Sequence, residues 1–112
     1  MEGDMELTME IRAKQSRFQE LYQTLYALLP TIRKHKGCRD CRIYMDTEDE
    51  DVFFLSFSWE KQSSMEDYLR TNSGSALMGA IEVLSEAARV KIGRDQLWQG
   101  SEILNRMRKE IY

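Results

Sequence analysis

The side chains best suited to chemistry are one histidine, two cysteines and a set of tryptophan and tyrosine residues. His35 lies in a basic segment that begins at Arg33, and its imidazole is of the type that serves as a general base. A histidine at a basic helix end is also commonly solvated, near the negative pole of the helix dipole. We predict the solvated role for His35, with catalytic residues unassigned.

Cys38 and Cys41 form a C-x-x-C pair, a spacing found in redox motifs and in halves of zinc sites. A redox pair usually has a helix N-terminus that lowers one thiol pKa, whereas this pair begins a predicted strand after Gly37. Residues three apart in a strand point to opposite faces. Zinc would need two further ligands, and His35 is the only histidine. We predict reduced, structural thiols and no metal site.

The segment from Val52 to Trp59 is predicted to be a strand with apolar side chains on both faces. One face carries Phe53, Leu55, Phe57 and Trp59, and the other carries Val52, Phe54, Ser56 and Ser58. Both faces need cover, and a chain of 112 residues has few helices to provide it. A second copy of the chain is the predicted cover, so we expect a homodimer that pairs through its sheets.

Three tyrosines in predicted helices are candidate hydrogen-bond donors to a bound ligand: Tyr22, Tyr26 and Tyr68. A tyrosine combines an apolar ring with one polar group, which suits a binding cavity. Trp59 is a candidate wall of the same cavity, together with Leu55 and Phe57. The alternative is that these aromatic residues pack in the core or at a dimer interface, and the sequence leaves both open.

The elements that must position these residues follow from hydrophobic periodicity. Alternation from Met5 to Ile11 predicts the first strand, and Ser16 with Gln19 predicts a capping box for the first helix. That helix has a predicted stripe of Phe18, Leu21, Leu25, Leu28 and Ile32, a kink at Pro30 and a stop at Gly37. Further strands are predicted at Cys41–Met45, Val52–Trp59 and Ala88–Ile92. A second capping box, Ser63 with Glu66, opens the next helical region, which Ser73–Gly74–Ser75 interrupts.

The predicted order is β-α-β-β-α-β, an α+β ferredoxin-like arrangement with an antiparallel sheet. We predict a single domain with a core at 5–94 and a C-terminal extension at 95–112. The extension has a helical stripe of Leu104, Met107 and Ile111. It packs either on its own sheet or on a partner.

The composition narrows the class of partner. Charged residues make up 31% and hydrophobic residues 42% of the chain, as in ordinary globular domains. The net charge of −3 comes without a basic stripe, which argues against nucleic acid as the main partner. No apolar run has transmembrane length, and the acidic start lacks the features of a signal peptide. We therefore expect a cytoplasmic protein that does not bind membranes.

From Met5 to about Arg94 the sequence resembles the antibiotic biosynthesis monooxygenase family. The motifs are Leu29-Pro30-Thr31-Ile32 before Lys36-Gly37-Cys38, the strand that ends in Trp59-Glu60, and Tyr68-Leu69 leading to Leu77-Met78-Gly79-Ala80. The resemblance implies a dimeric α+β barrel. It also implies oxidation of phenols or quinols by dioxygen without metal, haem or flavin, because the electron-rich substrate activates oxygen itself.

The resemblance assigns Trp59 to the tryptophan that such family members place in the cavity. The asparagine that they place four residues earlier is Leu55 here. A haem-degrading branch uses an asparagine, a tryptophan and a histidine that fall on Met9, Tyr68 and Met78, so haem degradation is not expected.

Two functions from different classes are therefore predicted. The first is a cofactor-independent monooxygenase that acts on a quinol or polyphenol, and the second is a non-catalytic dimeric small-molecule-binding or regulatory protein with the same fold.

Overall fold

The computed structural model of the chain describes residues 4–93 and 97–109. It has an α+β fold in which one antiparallel sheet packs against helices, as the sequence predicts. The strands are β1 (Met5–Ala13), β2 (Cys38–Met45), β3 (Val52–Trp59), β4 (Ser85–Ile92) and β5 (Gln99–Gly100). The helices are α1 (Phe18–Lys34), α2 (Gln62–Leu69), α3 (Asn72–Leu84) and α4 (Glu102–Lys109).

The strand order in the sheet is β2-β3-β1-β4-β5, and all neighbours are antiparallel. The first four strands have the ferredoxin-like order, with β1 and β3 at the centre. Cross-strand pairing sets Met9 beside Leu55 and Val90, and all three side chains point to the helix-covered face. We call this the inner face of the sheet and the opposite one the outer face.

Helix α1 lies over the inner face through one buried stripe, made of Leu21, Leu25, Leu29 and Ile32. Leu28, which was predicted in this stripe, is only partly buried, because a step of four from Leu25 reaches Leu29. The helix continues through Pro30 to Lys34. Gly37 then has a φ of 92°, in the left-handed region that glycine readily adopts, and the chain turns into β2.

Both predicted capping boxes are wrong. Ser16 has a φ of 66°, and the residue at the N-cap of α1 is Arg17, whose side chain makes no capping hydrogen bond. Helix α2 begins one residue before Ser63, an arrangement that packs Ser64 against Gly37. A side-chain cap does form at the start of α3. There the hydroxyl of Thr71 accepts a hydrogen bond from Gly74 N at 3.0 Å.

The chain after β4 packs on the same chain. Strand β5 pairs with β4, and α4 packs against α2 with Leu104 and Met107 buried. Arg108 also donates a hydrogen bond from Nη2 to Ser75 Oγ at 2.6 Å. The third residue of the predicted stripe, Ile111, lies outside the described residues, as does Arg94 at the predicted core boundary.

Within residues 4–93 and 97–109, no helix has the length and apolar character needed to cross a membrane.

Candidate functional site

Trp59 ends the inner-face row of β3 and is 0% exposed. The alternation of β3 brings it to the same face as Phe57, and the two rings stack with centroids 5.8 Å apart. Tyr68 of α2 lies 5.7 Å away, and the ring of His35 lies 6.1 Å away. We call Trp59, Tyr68, His35, Cys38 and Cys41 the Trp59 cluster.

The indole nitrogen of Trp59 has no acceptor among the described residues. Trp59 Nε1 is buried and makes no hydrogen bond within residues 4–93 and 97–109. Buried donors are nearly always paired, because an unpaired one forgoes its hydrogen bond to water. The cluster therefore contains a donor to which a ligand oxygen could bind with little competition.

Tyr68 contributes a neutral phenol. It is 1% exposed, and its hydroxyl is 2.8 Å from Ser73 Oγ, where either oxygen can be the donor. Burial raises the pKa of Tyr68 to about 12, although the hydrogen bond with Ser73 acts in the opposite direction. At neutral pH this side chain can donate or accept a hydrogen bond, but it does not act as an anionic base.

His35 is half-buried in this cluster, which contradicts the prediction of a solvated histidine. It follows the last turn of α1, and its carbonyl accepts a hydrogen bond from Cys38 N at 3.0 Å. This turn brings the imidazole to 5.5 Å from the Tyr68 ring, edge to face. The only sequence feature that could have predicted this burial is the position of His35 just before the Gly37 turn into β2. Its partners, Trp59 and Tyr68, come from distant segments of the chain.

The two cysteines lie on the same face of the sheet, so the predicted opposite orientation is wrong. A β-bulge shifts the register between Cys38 and Asp40, and Cys38 then pairs with Trp59 while Cys41 pairs with Phe57. Both thiols are free. Burial raises the pKa of Cys38, and it raises the pKa of Cys41 to about 12. Both sulfurs are therefore protonated near neutral pH.

Metal ligands do not gather in the described part of the chain. Within residues 4–93 and 97–109, no three histidine, cysteine, aspartate or glutamate side chains come close enough to hold an ion.

The other predicted binding residues divide into two groups. Phe57 contacts Trp59. Leu55, the inward-facing residue of β3 that precedes Phe57, is also buried. Tyr22 instead contacts Phe53, with ring centroids 6.4 Å apart. Phe53 is six residues from Trp59, roughly 20 Å along an extended strand. The structure therefore places Tyr22 away from Trp59 and Tyr68.

A surface groove of about 530 Å³ adjoins the Trp59 cluster. Its described walls include Met5 of β1, Ile92 of β4, and Ile103 and Met107 of α4. Met5 is the direct cross-strand neighbour of Trp59, so one of the residues that line this groove lies beside Trp59 in the sheet. We call it the α4 groove.

The model of the antibiotic biosynthesis monooxygenase family matches residues 5–78, which is more than half of the chain. The α+β fold agrees with that match, and the chain belongs to the antibiotic biosynthesis monooxygenase family. Among curated proteins, none matches this sequence.

Solved structures confirm the fold. One from Pseudomonas aeruginosa superposes with a TM-score of 0.77 at 21% identity, covering 84% of this chain and 96% of that one. One from Methanosarcina mazei has a TM-score of 0.76 at 16% identity, covering 83% and 93%. A structure named antibiotic biosynthesis monooxygenase has a TM-score of 0.74 at 14% identity, covering 83% and 98%. Similarity at these identities establishes the fold but does not identify the substrate.

Proposed function

We propose that this protein is a monooxygenase that oxidises a quinol or polyphenol with dioxygen, without metal, haem or flavin, at the Trp59 cluster. Family membership and the name of one similar structure support the reaction class. The observation that carries the site is the buried, unpaired Nε1 of Trp59. It lies among aromatic rings that suit a flat aromatic substrate.

The reaction balances without a cofactor. A quinol and one dioxygen molecule give a hydroxyquinone and one water, with one oxygen atom bound to the ring and the other released in the water. The electrons come from the quinol and from its ring C–H bond. Trp59 Nε1–H donates a hydrogen bond to the substrate oxygen on which negative charge develops, and the apolar surroundings strengthen that bond.

Access to the cluster requires a local movement. Trp59 and Tyr68 are both fully buried, so a substrate ring must displace a neighbouring side chain to reach them. Methionine is a flexible neighbour for such a movement, and Met5 both pairs with Trp59 across the strands and lines the α4 groove.

We further propose that the protein is a homodimer through its outer face. Phe54 lies half-buried on this face of β3, beside Tyr44 of β2, which is 51% exposed. A second sheet would remove both aromatic rings from water. Phe54→Asp should convert a dimer to a monomer, because the charge would be desolvated in the interface. Sedimentation equilibrium checks this, and a wild-type mass of one chain at micromolar concentration would contradict the dimer.

A cytoplasmic location is part of the proposal. Both cysteines are free, as expected in a compartment that keeps thiols reduced.

A non-catalytic binding protein is the second candidate, and the residues around Trp59 are the observation that favours it. Leu55 and Met9, which pair across β3 and β1, give this part of the inner face an apolar surface without an amide. Tyr68 is a neutral phenol at neutral pH, and its raised pKa makes ionisation harder still. A site of this kind can bind an aromatic molecule without activating it.

Oxygen uptake distinguishes the two candidates. The purified protein is incubated with a panel of quinols and anthrone-like phenols, and an oxygen electrode follows consumption above the uncatalysed rate. For a catalysed substrate, Trp59→Phe should lower the rate at least about 10-fold, since it removes the donor to the developing negative charge. Trp98→Phe is the matched control and should keep the rate. Binding without catalysed uptake would support the non-catalytic candidate.

A further inference from the structure

We propose that the α4 groove binds an aliphatic side chain of the aromatic substrate, and that Ile103 is a specificity-determining residue in it. This inference rests on the proposed function, because it takes the substrate ring to lie at the Trp59 cluster. It adds a chemical class to that substrate, a phenol or quinol that carries an uncharged alkyl chain.

The wall of the groove comes from a segment outside the ferredoxin-like order. Strand β4 completes that order, and α4 follows it. The α4 groove is therefore built partly from a segment that the ferredoxin-like order does not require.

The position of the groove continues the Trp59 cluster toward the surface. Met5 lies opposite Trp59 in the β1–β3 register and also lines the groove. Ile103 and Met107 form the wall on α4, and Gln62 at the start of α2 lies at the same groove. A ring beside Trp59 with an alkyl substituent pointing past Met5 would place that substituent between β4 and α4.

The lining has the chemistry of an uncharged ligand. None of the described residues that line the α4 groove is charged, and the only polar side chains among these described residues are the amides of Gln62 and Gln99. The groove between α3, β4 and α4, in contrast, contains Glu82, Glu86 and Glu102. An alkyl chain would have to desolvate carboxylates there, which costs free energy that the α4 groove does not require.

Helix α4 is held firmly enough to act as a wall. Leu104 is fully buried, and Arg70 Nε donates a hydrogen bond to the carbonyl of Arg108 at 3.3 Å. Leu104 and this hydrogen bond hold α4 against α2, so Ile103 can be changed without removing either of them.

The test compares the affinities of a methyl-substituted and a hexyl-substituted naphthoquinone, measured by quenching of Trp59 fluorescence in a Trp98→Phe background. The hexyl compound should bind about 10-fold more tightly, because its extra methylenes leave water. Ile103→Glu should reduce that preference to about twofold or less by placing a charge in the groove. The affinity of the same variant for the methyl compound is the reference against which that preference is calculated.

Two further variants separate this effect from loss of folding. Gln99→Glu is isosteric, changes the opposite side of the groove, and should reduce the same preference. Leu97→Glu places the same charge in the same segment at a residue that is 84% exposed, and it should keep the preference.

The possible results distinguish a failure of the α4 groove proposal from a failure of the proposed ring site at the Trp59 cluster. Equal affinity for both compounds, or a preference that survives both Ile103→Glu and Gln99→Glu, would overturn the groove while the ring site stands. If neither naphthoquinone quenches Trp59, the proposed function fails and the groove inference fails with it.

Discussion

The two ends of the inner-face row of β3 are built from similar side chains but differ in the polar groups that reach them. At one end, Phe53 packs edge to face against Phe18, with ring centroids 5.0 Å apart. At the other end, Trp59 lies with a phenol, an imidazole and two thiols, and its own N–H is unpaired. The comparison teaches that strand alternation fixes which residues point inward, while the turn after α1 and helix α2 decide where polar groups gather.

The largest expected effect is one that the two ends share. Trp59→Ala and Phe53→Ala each remove a fully buried aromatic ring, so each should lower the free energy of unfolding by about 3–5 kcal/mol. Urea denaturation measures both values. A much smaller loss for Trp59→Ala than for Phe53→Ala would mean that the Trp59 end is loosely packed and already holds space for a ligand.

An alkaline loss of stability should be traceable to the Trp59 end. The folded pKa of Cys41 is about 12 against its ordinary value of 9.0, so above pH 9 the unfolded chain releases this proton more readily than the folded one. The free energy of unfolding should therefore fall between pH 9 and 12, by at most about 1.4 kcal/mol per pH unit for this group.

Cys41→Ala identifies the source of that loss. Denaturant titrations at pH 9 and 10 should give a shallower decline for this variant than for the wild-type protein. An unchanged slope would show that Cys41 does not carry the effect, and Cys38→Ala would then be the next variant to measure.

A smaller difference should distinguish the tyrosines at the two ends. Tyr68→Phe removes the hydrogen bond with Ser73 inside the protein and should cost about 1 kcal/mol of stability. Tyr22→Phe changes a half-buried side chain and should cost less than about 0.5 kcal/mol. Thermal denaturation of the matched pair measures both costs, and equal values would remove this distinction between the ends.

The sequence predicts the fold more completely than the site. Alternation in β1 and β3 and the stripe of α1 predict these three elements correctly, because one face of each must be buried. The predicted capping boxes at Ser16 and Ser63 do not form, because the N-cap positions of the two helices are Arg17 and Lys61.

The site is harder to predict because it depends on contacts between distant segments. The bulge between Cys38 and Asp40 reverses the expected orientation of one cysteine, and nothing in the C-x-x-C spacing reveals it. His35 joins the cluster only through the Gly37 turn. In the sequence, Tyr22 and Tyr68 look alike, because each lies beside an apolar residue of a predicted helix. In the structure, α1 places Tyr22 at the Phe53 end and α2 places Tyr68 beside Trp59.

The central claim is that the unpaired Trp59 Nε1 donates a hydrogen bond to a ligand oxygen. The indole N–H signals in a proton–nitrogen correlation spectrum report this directly, with Trp98→Phe to assign the two signals. Saturation with a naphthoquinone should shift the Trp59 indole proton downfield, as expected when a free N–H gains an acceptor, and should leave Trp98 nearly unchanged. A Trp59 indole signal that does not move at saturating ligand, or a shift confined to Trp98, would contradict the account.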